Sequence, residues 1–350
     1  LVVFDQTAWD LTMATDSASI GGAGRTKFNW RFGKVSQEQI ILLITLILFL
    51  VFSVGLNGFA TVDNLLNLLR SISILGILGL GMGLIVISRG IDLSAIAIMC
   101  GSWAIALIEM KFGVPVFWAC ALALGIALLF GFINGVMVAF VEAPALFVTL
   151  AASFIIYGAA YWFAPAYVVY APADSPALLF LGAGRLFGVP MPIIVFAAAA
   201  IVLHLFLSRT SVGLFVYSQG DNPEAARLTG IALRPLIVLE YVIVACFAWL
   251  AGLVWVGTTG SIQMSLVQGP YIFDVILVVV LGGISLVGGR GGVFSVIVGC
   301  ALIGTLLNAF TIMDVNSEVQ NIIRGVVLLA AIIIDNWLHP RDDETARQGD

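Results

Sequence analysis

Apolar runs long enough to cross a lipid bilayer recur along almost the whole chain. A bilayer core takes about 20 apolar residues as a spanning helix. Runs near that length fall at 40–56, 72–88, 94–110, 115–138, 145–163, 190–207, 236–258, 271–289, 292–311 and 318–337. The run 72–110 is nearly continuous, broken only by Arg89-Gly90-Ile91-Asp92. Charged residues make up 10% of the chain and hydrophobic ones 61%, where soluble domains carry about 25% charged residues. A water-soluble fold is excluded. The expectation is an all-α integral membrane protein of about ten transmembrane helices, with no room for a separate soluble domain.

Lysine and arginine set the orientation, because they accumulate in cytoplasmic loops. With the N-terminus in the cytoplasm, the cytoplasmic side receives Arg25, Lys27, Arg31, Lys34, Arg89, Arg209, Arg227, Arg234, Arg290, Arg341 and Arg347. The other side, or the span edges facing it, receives Arg70, Lys111, Arg185 and Arg324. Residues 1–39 then form a cytoplasmic arm, with no apolar region of the kind a cleaved signal peptide needs. Met13 marks a candidate start within it, which would leave 1–12 upstream. The transmembrane region spans 40–337, and 338–350 form a cytoplasmic tail. No basic patch with interleaved aromatics supports nucleic-acid binding. Cys100, Cys120, Cys246 and Cys300 lie inside apolar runs without short-range pairing and read as small core residues.

The cytoplasmic connection 209–235 contains the most distinctive polar segment, Gly220-Asp221-Asn222-Pro223-Glu224-Ala225-Ala226-Arg227-Leu228-Thr229-Gly230-Ile231. Asn222 is an N-cap, Pro223 fits the first helical turn, and Glu224 meets the positive end of the helix dipole. Ala225, Ala226, Arg227 and Leu228 propagate the helix, and Gly230 ends it. A short capped helix held on a membrane face suits docking.

Gly90-Ile91-Asp92-Leu93-Ser94 places a carboxylate in an apolar run, which needs a partner or water. Two readings stand: Asp92 or Ser94 caps the third helix, or both lie on a solute path or gate. Arg89 is the nearest candidate ion partner. Asn134 and Asn308 each lie near a span end, as helix–helix glue or as path-lining amides. Leu281-Gly282-Gly283-Ile284-Ser285-Leu286-Val287-Gly288-Gly289-Arg290-Gly291-Gly292 permits a tight re-entrant turn. Glu240, just inside the seventh span, either reaches the interface or pairs with Arg234. The longest external connection, 164–189, carries a Leu178–Leu181 patch suited to the membrane interface. The Gly-x4-Gly-Lys-Ser/Thr phosphate loop is absent from the sequence, so ATP binding of that type is not expected in this chain.

Four segments in this order resemble the permeases of ATP-binding-cassette importers of the ribose/xylose type. They are Gly90-Ile91-Asp92-Leu93-Ser94, Asn134-Gly135 with Ala143-Pro144-Ala145-Leu146-Phe147-Val148-Thr149-Leu150, Asn222-Pro223-Glu224-Ala225-Ala226, and the glycine run from Gly282 to Gly292. Arg89 stands where that family usually has glycine. The resemblance runs from about Phe59 to Asp335. It implies a transport subunit rather than an enzyme, working with a second permease copy or a similar subunit. It also implies a periplasmic or lipoprotein solute-binding protein and two cytoplasmic ATPase subunits. The ATPases would use the ATP and seat the helix containing Gly220, Asn222, Pro223, Glu224, Ala225, Ala226, Leu228 and Gly230. The solute class implied is a monosaccharide or polyol, and scarce buried charge points to a neutral one. Nucleosides, furanone-type signals and branched-chain amino acids remain open within the resemblance.

Weak similarity between spans two to five and seven to ten suggests two pseudo-symmetric halves, as transporters often have. An ion-coupled secondary transporter is the competing class, with Asp92 and Glu240 as its carboxylates. No nucleophile–base pair, metal-ligand cluster or paired acidic motif supports a catalytic or metal site within the spans.

Overall fold

A computed structural model describes residues 37–172 and 175–338. Met13, nearly all of the expected N-terminal arm and the tail beyond Leu338 lie outside them. Thirteen helices form among the described residues. The first five are α1 (Gln37–Gly55), α2 (Val62–Ile87), α3 (Ala95–Lys111), α4 (Val116–Ala139) and α5 (Ala145–Phe163). Then come α6 (Pro176–Ala183), α7 (Met191–Arg209), α8 (Ser211–Asp221) and α9 (Pro223–Leu228). The last four are α10 (Leu233–Thr259), α11 (Tyr271–Leu281), α12 (Val293–Ile312) and α13 (Ser317–Leu338). Ten of these fall on the ten apolar runs; α6, α8 and α9 lie in the connections. Seven of the ten (α1, α2, α4, α5, α7, α10 and α12) are long and apolar enough to cross a membrane by length and composition.

Two boundaries differ from the sequence reading for identifiable reasons. The second run begins at 72 in hydropathy, yet α2 starts at Val62. Its first turns carry Asn64, Asn67 and Arg70, which interrupt the apolar pattern without breaking the helix. The eighth run, 271–289, is not one helix. After 11 residues, about 16 Å of rise, α11 ends at Leu281. The glycine run then turns back to α12 with Gly282, Ile284, Ser285 and Gly288 buried. Irregular backbone at membrane depth is tolerated where protein covers it.

Helix α2 is the axis of the bundle: 83% of its apolar span is buried, against 6% for α1. At 26 residues it is about 39 Å long, enough to cross the hydrocarbon core. Helix α10 packs against α2, α3, α4 and α6, and α12 against α1, α2 and α11. The apolar faces left exposed on α1, α4, α5 and α7 carry residues such as Leu46, Phe132, Phe154 and Val202. Such faces suit lipid.

The 164–189 connection is folded. Its strand β1 (Val168–Tyr170) pairs antiparallel with β4 (Ser261–Gln263), Val169 opposite Ile262. Strands β2 (Arg185–Leu186) and β3 (Val189–Pro190) close a small hairpin. Within the Leu178–Leu181 patch, Leu178 is buried and Phe180 is exposed. Helix α6 lies directly on α10, where a Cβ on Gly182 would come within 2.0 Å of the Gly257 carbonyl carbon. Only a glycine pair allows that approach, and it carries Leu178 inward.

Candidate functional site

The polar segment after α7 forms two short helices. Thr210 caps α8, its side chain accepting from Gly213 N at 3.0 Å. Asn222 ends α8 and caps α9, accepting from Ala225 N at 3.0 Å. Pro223 occupies the first turn of α9, and Gly230 at φ +88° turns the chain away behind it. Ala226 is buried. Glu224, Ala225, Arg227 and Leu228 are exposed. Leu228 is 87% exposed on a polar loop helix, which makes it a candidate knob for a partner groove.

This segment is seated by backbone contact on the end of α2. Gly289 N donates to Ile87 O at 2.8 Å. A Cβ on Gly220 would lie 1.8 Å from the same Ile87 O and 2.6 Å from Gly289 N. Gly288 has φ +91°, and a Cβ there would lie 2.7 Å from Gly220 O. Three strands of backbone therefore meet where side chains are absent: the end of α2, the end of α8 and the glycine run.

Arg89, itself at φ +69°, locks the junction. Its Nε donates to Gly220 O at 2.6 Å and its Nη2 to Asp221 O at 2.5 Å. A guanidinium on the last carbonyls of α8 also meets the negative end of that helix dipole. Tyr217 Oη donates to Gly291 O at 2.9 Å. Gln219 Nε2 reaches Glu240 Oε2 at 3.3 Å and Ser88 O at 3.5 Å. The segment is thus tied to α2, to the glycine run and to α10 at once.

Two expectations for ion partners fail here. Arg89 is turned toward α8, where its Nε and Nη2 bond main-chain oxygens rather than Asp92. Arg234 pairs with Glu142 at 2.7 Å, while Glu240 is bonded by Gln219. The α8 carbonyls and the Gln219 amide, invisible as partners in the sequence, take the places assigned to charges.

Asp92, Ser94 and Asn134 are brought together and fully buried. Ser94 N and Oγ both donate to Asp92 Oδ1, at 2.8 and 2.5 Å. Asn134 Nδ2 donates to Ser94 Oγ at 2.8 Å, tying α4 to the start of α3. Leu93 N donates to Thr149 Oγ1 at 3.1 Å, adding α5. The capping reading is corrected in detail: neither Asp92 nor Ser94 accepts from the first turn of α3. Asp92 instead closes a turn through Ser94. Burial pushes its carboxyl up, against the pull of the two Ser94 bonds.

Asn308 lies elsewhere. Its amide and that of Asn64 bond reciprocally, at 2.9 and 3.0 Å. The pair lines a cavity of about 510 Å³ between the first half of α2, the ends of α10 and α12, and the start of α11. Arg70, Asn67, Trp255 and Tyr271 share its wall. The Trp255 and Tyr271 rings meet edge to face, centroids 5.6 Å apart. The cavity occupies the end of α2 remote from Ile87 and the docked segment. The four candidate path residues therefore divide, three beside the docked segment and one at the far cavity. Sequence reasoning missed Asn64, Asn67 and Arg70. Their signal was present: polar residues three apart on one face of a helix that is otherwise apolar.

Residues 64–332 match the family model described as branched-chain amino acid transport system / permease component. The chain is 31% identical over 312 residues to the ribose import permease protein of Haemophilus influenzae, covering 89% of this chain and 96% of that one. It is 34% identical to the ribose import permease protein of Escherichia coli strain K12, over 86% and 94% of the two chains. It is 30% identical to the L-arabinose transport system permease protein of the same strain, over 92% and 97%. No solved structure matches. The family match covers α2 to most of α13, with the docked segment and the far cavity, and this multi-pass inner-membrane chain belongs to that family of importer permeases, transport components rather than enzymes.

Proposed function

We propose that the chain is the membrane-spanning subunit of an ATP-driven importer for a small polyhydroxylated solute, a monosaccharide or polyol. The docking of α8 and α9 on the end of α2 carries this reading. Force applied to the exposed face of α9 has a stiff backbone route, through Gly220 and Gly289, into the helix that runs down the axis of the bundle. Cytoplasmic ATPase subunits supply that force, so the 209–235 connection and both termini are cytoplasmic. The arginine-rich loops support this orientation.

The cavity then faces the extracytoplasmic side, where a solute-binding protein releases its cargo. Amides and an aromatic pair in one wall suit a hydroxylated solute. Asp92, Ser94 and Asn134 form the hinge between α2 and α3 rather than part of the path. The resemblance of α2–α5 to α10–α13 supports two inverted halves, since Asn134 and Asn308 end matching helices at opposite ends of the bundle. A second permease copy completes the pathway. This chain needs no cofactor of its own, and ATP is consumed by its partners.

The test is uptake of labelled D-ribose, L-arabinose and D-gluconate into proteoliposomes holding the permease, its ATPase and its binding protein. ATP-dependent accumulation of at least one of them is expected. Accumulation that ignores ATP and follows a sodium or proton gradient would contradict the reading.

A further inference from the structure

We infer that the solute held in the far cavity carries a carboxylate beside its hydroxyls, as aldonates and uronates do, and that Arg70 is the residue that selects it. The inference rests on the importer reading above and narrows its substrate class.

The cavity volume, about 510 Å³, falls among small-molecule sites, which run from about 300 to 1,000 Å³. Its polar groups are unevenly satisfied. The Asn64 and Asn308 amides are bonded to each other. Arg70 Nε and Trp255 Nε1 are buried and donate to no acceptor. Both groups are donors only, so an acceptor must come from outside the chain. Arg70 Nη1 donates to the neutral Asn67 Oδ1 at a long 3.4 Å.

Charge gives the same answer. Among the described residues no carboxylate lies within ion-pair distance of Arg70. The nearby Asp274 is held by Arg324 at 3.1 Å. Arg70 follows the first residue of α2 by eight positions, about 12 Å along the axis, two residues before the apolar run that begins at 72. A cation at that depth is costly without a partner or a water-filled cavity. It also sits on the side that the lysine and arginine bias leaves nearly empty. A guanidinium fork matches a carboxylate bidentately. Trp255 and Tyr271 offer an apolar face to the carbon skeleton. A neutral sugar would meet the hydrogen-bonding needs alone, whereas a carboxylate would also pair with the half-buried guanidinium.

The experiment compares uptake of labelled D-gluconate, D-glucuronate and D-ribose by the assembled importer, with ATP hydrolysis measured in parallel. One acid should be preferred over D-ribose by roughly tenfold or more. Arg70→Gln should lose that preference and Arg70→Lys should keep part of it. Asn67→Asp places a carboxylate one turn from Arg70 on an exposed position, and should block acid uptake without disturbing the fold. D-Ribose uptake with no acid uptake would leave the importer reading standing and overturn this inference. Acid uptake that Arg70→Gln and Asn67→Asp leave intact would overturn it too. ATP-dependent uptake of none of these three, nor of L-arabinose, would overturn both.

Discussion

Gly220→Ala adds one methyl group at the tightest backbone junction beneath the docked segment. The new Cβ would lie 1.8 Å from Ile87 O, 1.6 Å short of the 3.4 Å where ordinary van der Waals contact begins. Its other neighbours, Gly289 N at 2.6 Å and Ile87 C at 3.0 Å, are also backbone. No side-chain rotation relieves the clash, so α8 must lift from α2. A lift of that size breaks the 2.6 Å bond from Arg89 Nε to Gly220 O. It also strains the 2.8 Å bond from Gly289 N to Ile87 O. One charged and one neutral hydrogen bond together contribute roughly 2–4.5 kcal/mol. At about 1.4 kcal/mol per factor of ten, the ratio of docked to undocked segment falls roughly 30-fold or more. The clash meets only the last residue of α2 and leaves the sequence of the seven long apolar helices unchanged, so the variant should insert and purify normally. Uptake by the reconstituted importer should fall, with that factor as the upper limit for the smallest loss of bonding. Gly125→Ala on α4, whose Cβ would meet nothing within 4 Å, is the matched control and should transport normally. Wild-type uptake by Gly220→Ala would refute the mechanical role of this junction.

Other outcomes follow from the same geometry. Arg89→Ala removes both bonds to the end of α8 and should uncouple ATP hydrolysis from uptake while leaving detergent melting nearly unchanged; retained coupling would show the clamp to be dispensable. Arg324→Gln leaves Asp274 buried without its ion partner and should cost about 3–5 kcal/mol of stability, while the double change Arg324→Met with Asp274→Leu should recover most of it in thermal melts. A double-mutant cycle on Asn64→Ala and Asn308→Ala should give a coupling of about 0.6–1.7 kcal/mol, the range of interhelical hydrogen bonds in membranes; additive effects would mean that the two amides act separately. Gly182→Ala should lower the melting temperature through the α6–α10 contact, whereas Gly158→Ala, which meets nothing within 4 Å, should not.

The helices were legible where length and apolarity decide. All ten apolar runs hold a helix, and Asn222, Pro223 and Gly230 mark the ends of α9 through local capping chemistry alone. The start of α2 was hidden because hydropathy penalises Asn64, Asn67 and Arg70, although a helix tolerates all three. The end of α11 was blurred because Val287 and Leu286 keep the run apolar after the glycines have turned the chain. Partners distant in sequence were the least legible. Arg89 and Gly220 lie 131 residues apart, and Asn64 and Asn308 lie 244 apart. Nothing local announces such pairs. Arg89 was noticeable as a cation in an apolar run, and the obvious partner was the nearby Asp92. A helix end offers carbonyls that serve a guanidinium as well, and these exist only once α8 has folded.

The most direct test of the account is affinity purification of the detergent-solubilised protein, with mass spectrometry of what accompanies it. Glu224 and Leu228 stand exposed on α9, so the wild-type protein should carry cytoplasmic ATPase subunits with it and Glu224→Arg should lose them. A preparation free of any ATPase that still transports solute under an ion gradient would contradict the account.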